Sequence, residues 1–246
     1  MEVLGIDVGG SGIKGAIVDI ETGELVTKRY RIATPKGGKP EDVADTIAKI
    51  VEHFNWKGKI GCGFPAVVFH GKVMTANNID ESWIGVQANE LFKKKTGLDF
   101  VVANDADAAG EAIMKFGTGK DEKGLVIVIT VGTGLGSAMF YRGKLIPNTE
   151  LGVVPYKKYK RFEQYAADSA RTREKLSFKR WGARLNKFLK FVNKVFSPDM
   201  IILGGGISKE AKKFQKYLTT DVPIVPAKLQ NEAGIIGAAL LVVEDL

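Results

Sequence analysis

Three stretches of this chain place backbone amides, hydroxyls and carboxylates where phosphate chemistry would use them. The first, Asp7-Val8-Gly9-Gly10-Ser11-Gly12-Ile13-Lys14-Gly15, contains the spacing Gly10-x-Gly12-x-x-Gly15. A dinucleotide fingerprint of that spacing needs a helix after its glycines. Here Ala16-Ile17-Val18-Asp19 continues as a strand, and no Gly-Lys is followed by Ser or Thr as a Walker loop requires. What survives is a tight β-turn with an acid at its entrance and a lysine at its exit, a nest of N–H groups able to cradle phosphate oxygens. In that reading Gly9, Gly10, Ser11, Gly12 and Lys14 meet phosphate, and Asp7 holds Mg²⁺ directly or through water. A glycine-rich hairpin with no ligand is the plain alternative.

The second stretch, Thr130-Val131-Gly132-Thr133-Gly134-Leu135-Gly136-Ser137, repeats the device. Gly132 and Gly134 let the main chain approach a phosphate, and Thr130, Thr133 and Ser137 offer hydroxyls. A third run, Gly204-Gly205-Gly206-Ile207-Ser208, follows an apolar strand and precedes a helical segment. That geometry suits a nucleotide's base and ribose, although glycine also punctuates such junctions in general.

Asn104-Asp105-Ala106-Asp107 supplies the candidate acid or base. Phosphoryl transfer asks little covalent help of a protein beyond a carboxylate that orients and deprotonates the attacking hydroxyl, and Asp105 fits that role. The plain alternative is that Asp105 merely caps the helix that follows it, a role that need not exclude catalysis.

The elements that must position these residues are legible from hydrophobic period. Strands are expected at 2–8, 12–19 and 25–32, a helix opened by Pro40, and a short buried strand at 59–64. A helix over 85–96 ends at Gly97, and a strand at 100–103 delivers Asn104 and Asp105 before a helix over 106–116. A second cycle follows, with strands at 125–130, 137–141 and 200–203 and a small-residue helix over 233–243. Strand, glycine loop, strand thus occurs twice, which suggests two related α/β lobes. The boundary is expected near Asp105, giving residues 1–105 as an N-terminal lobe completed by a helix within 233–246, and 106–232 as a C-terminal lobe.

With 246 residues the chain can bury a proper core. A single cysteine, Cys62, excludes an intramolecular disulfide and points to a reducing compartment, and His53 and His70 stand apart from any metal cluster. There is no leader-like start and no apolar run of about 18 residues, so a cytoplasmic protein without a membrane span is expected. The net charge of +8 points to an anionic partner. Its cations concentrate between Lys157 and Lys194, which reads either as a solvated helix face or as a channel for a polyanion.

Together these residues resemble the ROK family of sugar kinases, and within it the polyphosphate glucokinases. The likeness rests on 7–16, 104–109 and 130–138, on Asn77 to Gly85, Ile146 to Gly152 and Gly204 to Ser208, and on the tail around Leu229-Gln230-Asn231. The resemblance implies an actin-like ATPase (ribonuclease H-like) fold, two lobes around a cleft that holds the sugar, and a homodimer. It also implies phosphoryl transfer from polyphosphate or ATP to the 6-hydroxyl of glucose or a related hexose. By the same carry-over Asp105 is the base, Asn78 and Asn104 hydrogen-bond the sugar, and Glu150 contacts its other hydroxyls. One departure stands out. The family box reads Glu-x-Gly-His, whereas here Glu150-Leu151-Gly152 is followed by Val153. Losing that polar sugar contact would lower glucose affinity or change the substrate, and leaves open a catalytically weakened sugar- or nucleotide-binding sensor of the same fold. The family's DNA-binding regulators add an N-terminal helix-turn-helix, for which a strand starting at residue 2 leaves no room, so DNA binding is not expected.

Overall fold

The computed structural model describes residues 1–229 and 232–243; Gln230 and Asn231 of the family-like tail, and 244–246 of the expected last helix, lie outside the described residues. The chain forms two compact units, 1–112 with 232–246 and 113–231.

The first unit begins with a hairpin of β1 (Glu2–Gly9) and β2 (Gly12–Asp19), paired in full register from Glu2↔Asp19 to Gly9↔Gly12. The expected third strand is two short pieces, β3 (Glu24–Leu25) and β4 (Tyr30–Ile32), both pairing with β2. Between them the Thr27 hydroxyl accepts the Ile17 N–H at 3.0 Å, so a side chain replaces the ladder for a few residues. Helix α1 (Pro40–His53) starts at its proline, whose missing N–H costs nothing at a helix start. It buries Val43, Ile47, Ile50 and Val51.

Parallel strand β5 (Ile60–Phe64) follows, then a two-stranded hairpin of β6 (Val68–Phe69) and β7 (Lys72–Val73) turning at His70 and Gly71, both with positive φ. Helix α2 is Ala88–Thr96, shorter at its start than expected, because Gly85 and Val86 bond to Val73 and Gln87 bridges Lys72. It ends on Gly97 in the left-handed conformation. Strand β8 (Phe100–Asn104) runs straight into α3 (Asp105–Phe116). The sheet order is β3-β2-β1-β5-β8, over a core that includes Ile6, Val8, Phe64, Trp83 and Phe92.

The second unit repeats that plan. Strands β9 (Leu125–Val131), β10 (Leu135–Tyr141) and β11 (Lys144–Ile146) form an antiparallel meander, and β12 (Met200–Gly204) and β13 (Ile224–Pro226) add in parallel. Its order is β11-β10-β9-β12-β13. Between β11 and β12 come α4 (Glu163–Ala166), α5 (Asp168–Arg173) and the long α6 (Phe178–Phe196), started by Ser177, whose hydroxyl accepts the Arg180 N–H. After β12 the chain makes a 3₁₀ turn over Gly206–Glu210 and the four-residue α7 (Ala211–Phe214). That is a tighter and shorter element than the helix expected after the glycines.

Helix α8 (Ala233–Leu240) returns to the first unit. Its approach is so close that a Cβ on Gly61 would strike the Ala238 carbonyl, and one on Gly237 the Ala108 carbonyl. Only hydrogen fits at either position.

Candidate functional site

Register decides where the chemistry of the first unit collects. Asp7 on β1 lies opposite Gly63 on β5, which lies opposite Ala103 on β8. Asp7, Gly63 and Ala103 therefore form one row across the carboxyl ends of three parallel strands, where ligands bind in open α/β sheets. Asp105 follows two residues beyond that row, half-buried at the start of α3. At about 4.8 Å per strand, Asp7 and Ala103 are roughly 10 Å apart across β5.

The helix cap on α3 is Asn104, not Asp105. The buried Asn104 side chain accepts from the backbone N–H groups of Ala106 at 2.9 Å and Asp107 at 3.1 Å, and its amide donates to the Ala66 carbonyl at 3.0 Å. Asn104 thus fixes both the start of α3 and the turn after β5, and the capping role that Asp105 could have filled belongs to its neighbour.

The first glycine loop is a two-residue turn between Gly9 and Gly12, with Gly10 and Ser11 exposed. Asp7 and Lys14 are directly opposed in the ladder and form an ion pair at 3.0 Å, with side chains 15% and 26% exposed. Gly234, in the first turn of α8, sits against the Asp7 carboxylate, where an added Cβ would lie 3.0 Å from it. Two residues without any local motif fasten the loop. Thr34 Oγ1 donates to the Gly9 carbonyl at 2.5 Å, and the Arg31 guanidinium donates to the Ser11 carbonyl.

A cleft of about 380 Å³ opens beside this loop, lined by Gly9, Gly10, Thr34, Pro65, Asn77 and Asn78 among others. The structure thus brings Asn78 and the first glycine loop to one cavity. Asp105 is not part of its lining, although Asn104 is bonded to Ala66, the neighbour of the lining residue Pro65. One wall is held by Trp83, which is fully buried between Phe64 and Phe92 and donates through its indole N–H to the Gly38 carbonyl at 2.8 Å. Trp83 therefore supports the cleft from behind. Trp181 is likewise a core residue.

In the second unit, Thr130 lies opposite Gly204 in the parallel pairing of β9 with β12, the counterpart of Asp7 opposite Gly63. The loop 132–134 is one residue longer than its counterpart and is closed by Gly132 N–H bonding to the Gly134 carbonyl at 3.1 Å. Ser169 on α5 clamps it, donating its backbone N–H to the Gly132 carbonyl at 3.2 Å and its hydroxyl to the Thr133 carbonyl at 2.6 Å. The buried Glu163 accepts the Leu135 N–H at 3.2 Å and pairs with Arg161 at 3.0 Å. Gly205 adopts a φ of +77° with Val131 backbone packed against it, and its carbonyl accepts the Ser208 hydroxyl at 2.8 Å.

Ser137 corrects an expectation. The residue is 1% exposed and its hydroxyl is spent within the protein: it donates to the Thr149 carbonyl at 2.5 Å and accepts the Leu151 N–H at 2.9 Å. Thr149 returns a bond from its own hydroxyl to the Ser137 carbonyl at 3.1 Å. The pair latches Glu150 to β10. Val153 closes the 3₁₀ turn Leu151–Val153 that follows, half-buried and without a polar side-chain atom.

The sequence profile of the ROK family matches residues 3–154 and 157–245. The chain belongs to the ROK family. Among its ROK relatives, the polyphosphate glucokinase of Mycobacterium tuberculosis (strain CDC 1551 / Oshkosh) is 46% identical over 98% of this chain and 91% of that protein. The polyphosphate glucokinase of Mycobacterium leprae (strain TN) is 42% identical over 99% of this chain and 75% of that one. The inorganic polyphosphate/ATP-glucomannokinase from Arthrobacter sp. strain KM superimposes with a TM-score of 0.94 at 42% identity, over 97% of each chain. The ROK glucokinase from Streptomyces griseus superimposes with a TM-score of 0.83 over 98% of this chain and 99% of that chain, and at 24% identity it speaks to fold alone. The fold of this ROK protein is the actin-like ATPase fold, each of its units built on the same five-strand order. Among the described residues no helix is long and apolar enough to cross a membrane.

Proposed function

We propose that the chain is a hexokinase-type phosphotransferase that moves the terminal phosphoryl group of polyphosphate or ATP to the 6-hydroxyl of glucose or a related hexose. The observation that carries this reading is the placement of Asp105, just beyond the strand row that starts at Asp7, with its helix cap already supplied by Asn104. A carboxylate at that edge, relieved of capping, suits a general base. The relatives at 42–46% identity support the same chemistry through their names, polyphosphate glucokinase and polyphosphate/ATP-glucomannokinase.

In the proposed reaction the hexose hydroxyl oxygen forms a bond to the terminal phosphorus while its proton passes to Asp105. The bridging P–O bond breaks, and its electron pair leaves on ADP or on the shortened polyphosphate. Asn78, exposed in the cleft of the first unit, and Glu150, latched by Ser137, are assigned to hydroxyls of the sugar. Asn104 is assigned first to positioning Asp105, with its contact to sugar carried over from the family. The loops at Gly9–Gly12 and Gly132–Gly134, with Lys14, Thr130 and Thr133, are assigned to phosphate oxygens, and Gly204–Gly206 to nucleotide when ATP is the donor.

Magnesium fits the residues present. Among the described residues no three His, Cys, Asp or Glu side chains gather as a metal cage, and Mg²⁺ prefers one or two carboxylates with waters and substrate phosphates. Asp7 would hold it, and the ion would neutralise charge on the donor phosphates. A cytoplasmic location and a homodimeric assembly belong to the same proposal.

The test is to incubate the purified protein with Mg²⁺, a panel of hexoses, and either ATP or polyphosphate. Hexose 6-phosphate formed from glucose or mannose supports the reading. Tight binding of sugar and nucleotide with no product across the panel would support instead the weakened sensor that Val153 leaves open.

A further inference from the structure

Helix α6 is the most unbalanced surface of the second unit. Its 19 residues include Lys179, Arg180, Arg184, Lys187, Lys190 and Lys194 and no carboxylate. One face is core: Trp181, Leu185, Phe188, Leu189 and Val192 are all buried. The cations lie on the other face, and all but Arg184 are exposed.

Arg184 is already committed, paired with Glu174 and lying 4.6 Å above the Tyr165 ring. Among the described residues, Lys179, Arg180, Lys187, Lys190 and Lys194 make no ion pair. Three carboxylates of this unit pair with other cations: Glu163 with Arg161, Glu174 with Arg173 and Arg184, Glu210 with Lys213. Lys187, Lys190 and Lys194 are spaced three and four apart, so they repel along one stripe. Burying the apolar face does not require that arrangement, since neutral polar residues would solvate the outer face equally well.

The stripe from Arg180 to Lys194 spans about 21 Å at 1.5 Å per residue. A single nucleotide or hexose would engage only one end of it, whereas a linear polyanion would follow its length. Its near end is joined to the second phosphate loop. Trp181 on α6 donates to the carbonyls of Ala166 and Ala167 at 3.0 and 3.1 Å, Ala167 precedes α5, and Ser169 on α5 holds the carbonyls of Gly132 and Thr133.

We propose that the solvent face of α6, through Arg180, Lys187, Lys190 and Lys194, binds the unreacted length of a polyphosphate chain whose terminus is the phosphoryl donor. The inference rests on the phosphotransferase reading above and extends it from the reacting end to a second contact region. Long chains then gain affinity from the track, while tripolyphosphate and ATP do not reach along it.

The test compares the wild-type chain with K187E/K190E/K194E and with the neutral K187Q/K190Q/K194Q, which guards against a folding defect of the charge reversal. The expected result is a KM for long-chain polyphosphate raised by about tenfold or more, with a salt dependence shallower by about 0.7 in logarithmic slope per lysine lost. ATP and tripolyphosphate kinetics stay unchanged. An unaltered KM for long chains in an active variant overturns the track. A loss of duplex DNA binding with polyphosphate kinetics intact overturns it too, and makes the stripe a nucleic-acid surface. If the wild-type chain transfers from no donor, the phosphotransferase reading has failed. The track then stands or falls on whether the triple variants lose direct retention of long-chain polyphosphate on a filter.

Discussion

The β1–β2 hairpin and the β9–β10 hairpin are the same scaffold carrying different chemistry. Each is antiparallel, each has a parallel strand on its far side, and each turns on glycines at the carboxyl edge of its sheet. In the first, the residue opposite the last paired position of the parallel neighbour is Asp7, itself paired across the hairpin with Lys14; in the second, the matching pair is Thr130 with Gly136. The two loops are also fastened from opposite partners: Arg31 and Thr34 follow β2 in the chain, whereas Glu163 and Ser169 come from α4 and α5. A repeated backbone thus carries an ion pair beside one glycine loop and neutral groups beside the other, the two loops assigned to phosphate in the proposed function. That difference suits an ion held by carboxylate in the first pocket and bare hydrogen bonding in the second.

Paired substitutions can break or sharpen this contrast. The largest effect is expected from Asp7→Asn, which should lower kcat/KM about 10²–10³-fold, against at most about tenfold for Thr130→Val, the loss of one neutral hydrogen bond. Steady-state kinetics with each donor measures both, and equal losses would erase the distinction between the pockets. Next, Gly61→Ala should destabilise the fold by about 1–3 kcal/mol, because α8 must shift. Gly204→Ala finds its nearest neighbours at 3.4–3.5 Å and should change urea stability little. Ser137→Ala unlatches Glu150 and leaves the Leu151 N–H and the Thr149 carbonyl without their partner, at a cost of about 1–2 kcal/mol. It should raise the KM for hexose and leave that for the donor unchanged.

The smallest effect concerns Cys62, whose place on β5 matches that of Leu203 on β12. Burial, with a lesser push from Asp7, raises its thiol far above the ordinary range. The folded protein should therefore resist alkylation at mildly alkaline pH and react only on unfolding. With the folded value raised, the associated stability is complete below the unfolded thiol's pKa and is lost as pH climbs from there.

The strands were legible because apolar runs such as Val126 to Ile129 and Ile201 to Leu203 are buried on both faces, the second of them ending at Gly204. The repeat of strand, loop and strand was legible for the same reason, and the shared sheet order bears it out. The fasteners were not. Arg31, Thr34, Glu163 and Ser169 reach loops 20 to 36 residues away through side-chain bonds to backbone, which leave no periodicity behind. Asn104 did carry a signal, since asparagine before a helical run is a preferred cap, and the alternative that Asp105 caps the helix is the one the structure sets aside. Ser137 was misread because a serine on a glycine-rich strand shows its hydroxyl but not its burial.

The most direct measurement is hexose 6-phosphate formation by Asp105→Asn beside the wild-type chain, at saturating hexose and donor, with unfolding midpoints recorded for both. Since Asn104 supplies the cap, the variant should fold with near wild-type stability and lose about 10²–10⁴-fold in kcat. Wild-type turnover by the folded variant would contradict the role of Asp105 as the group that takes the hydroxyl proton.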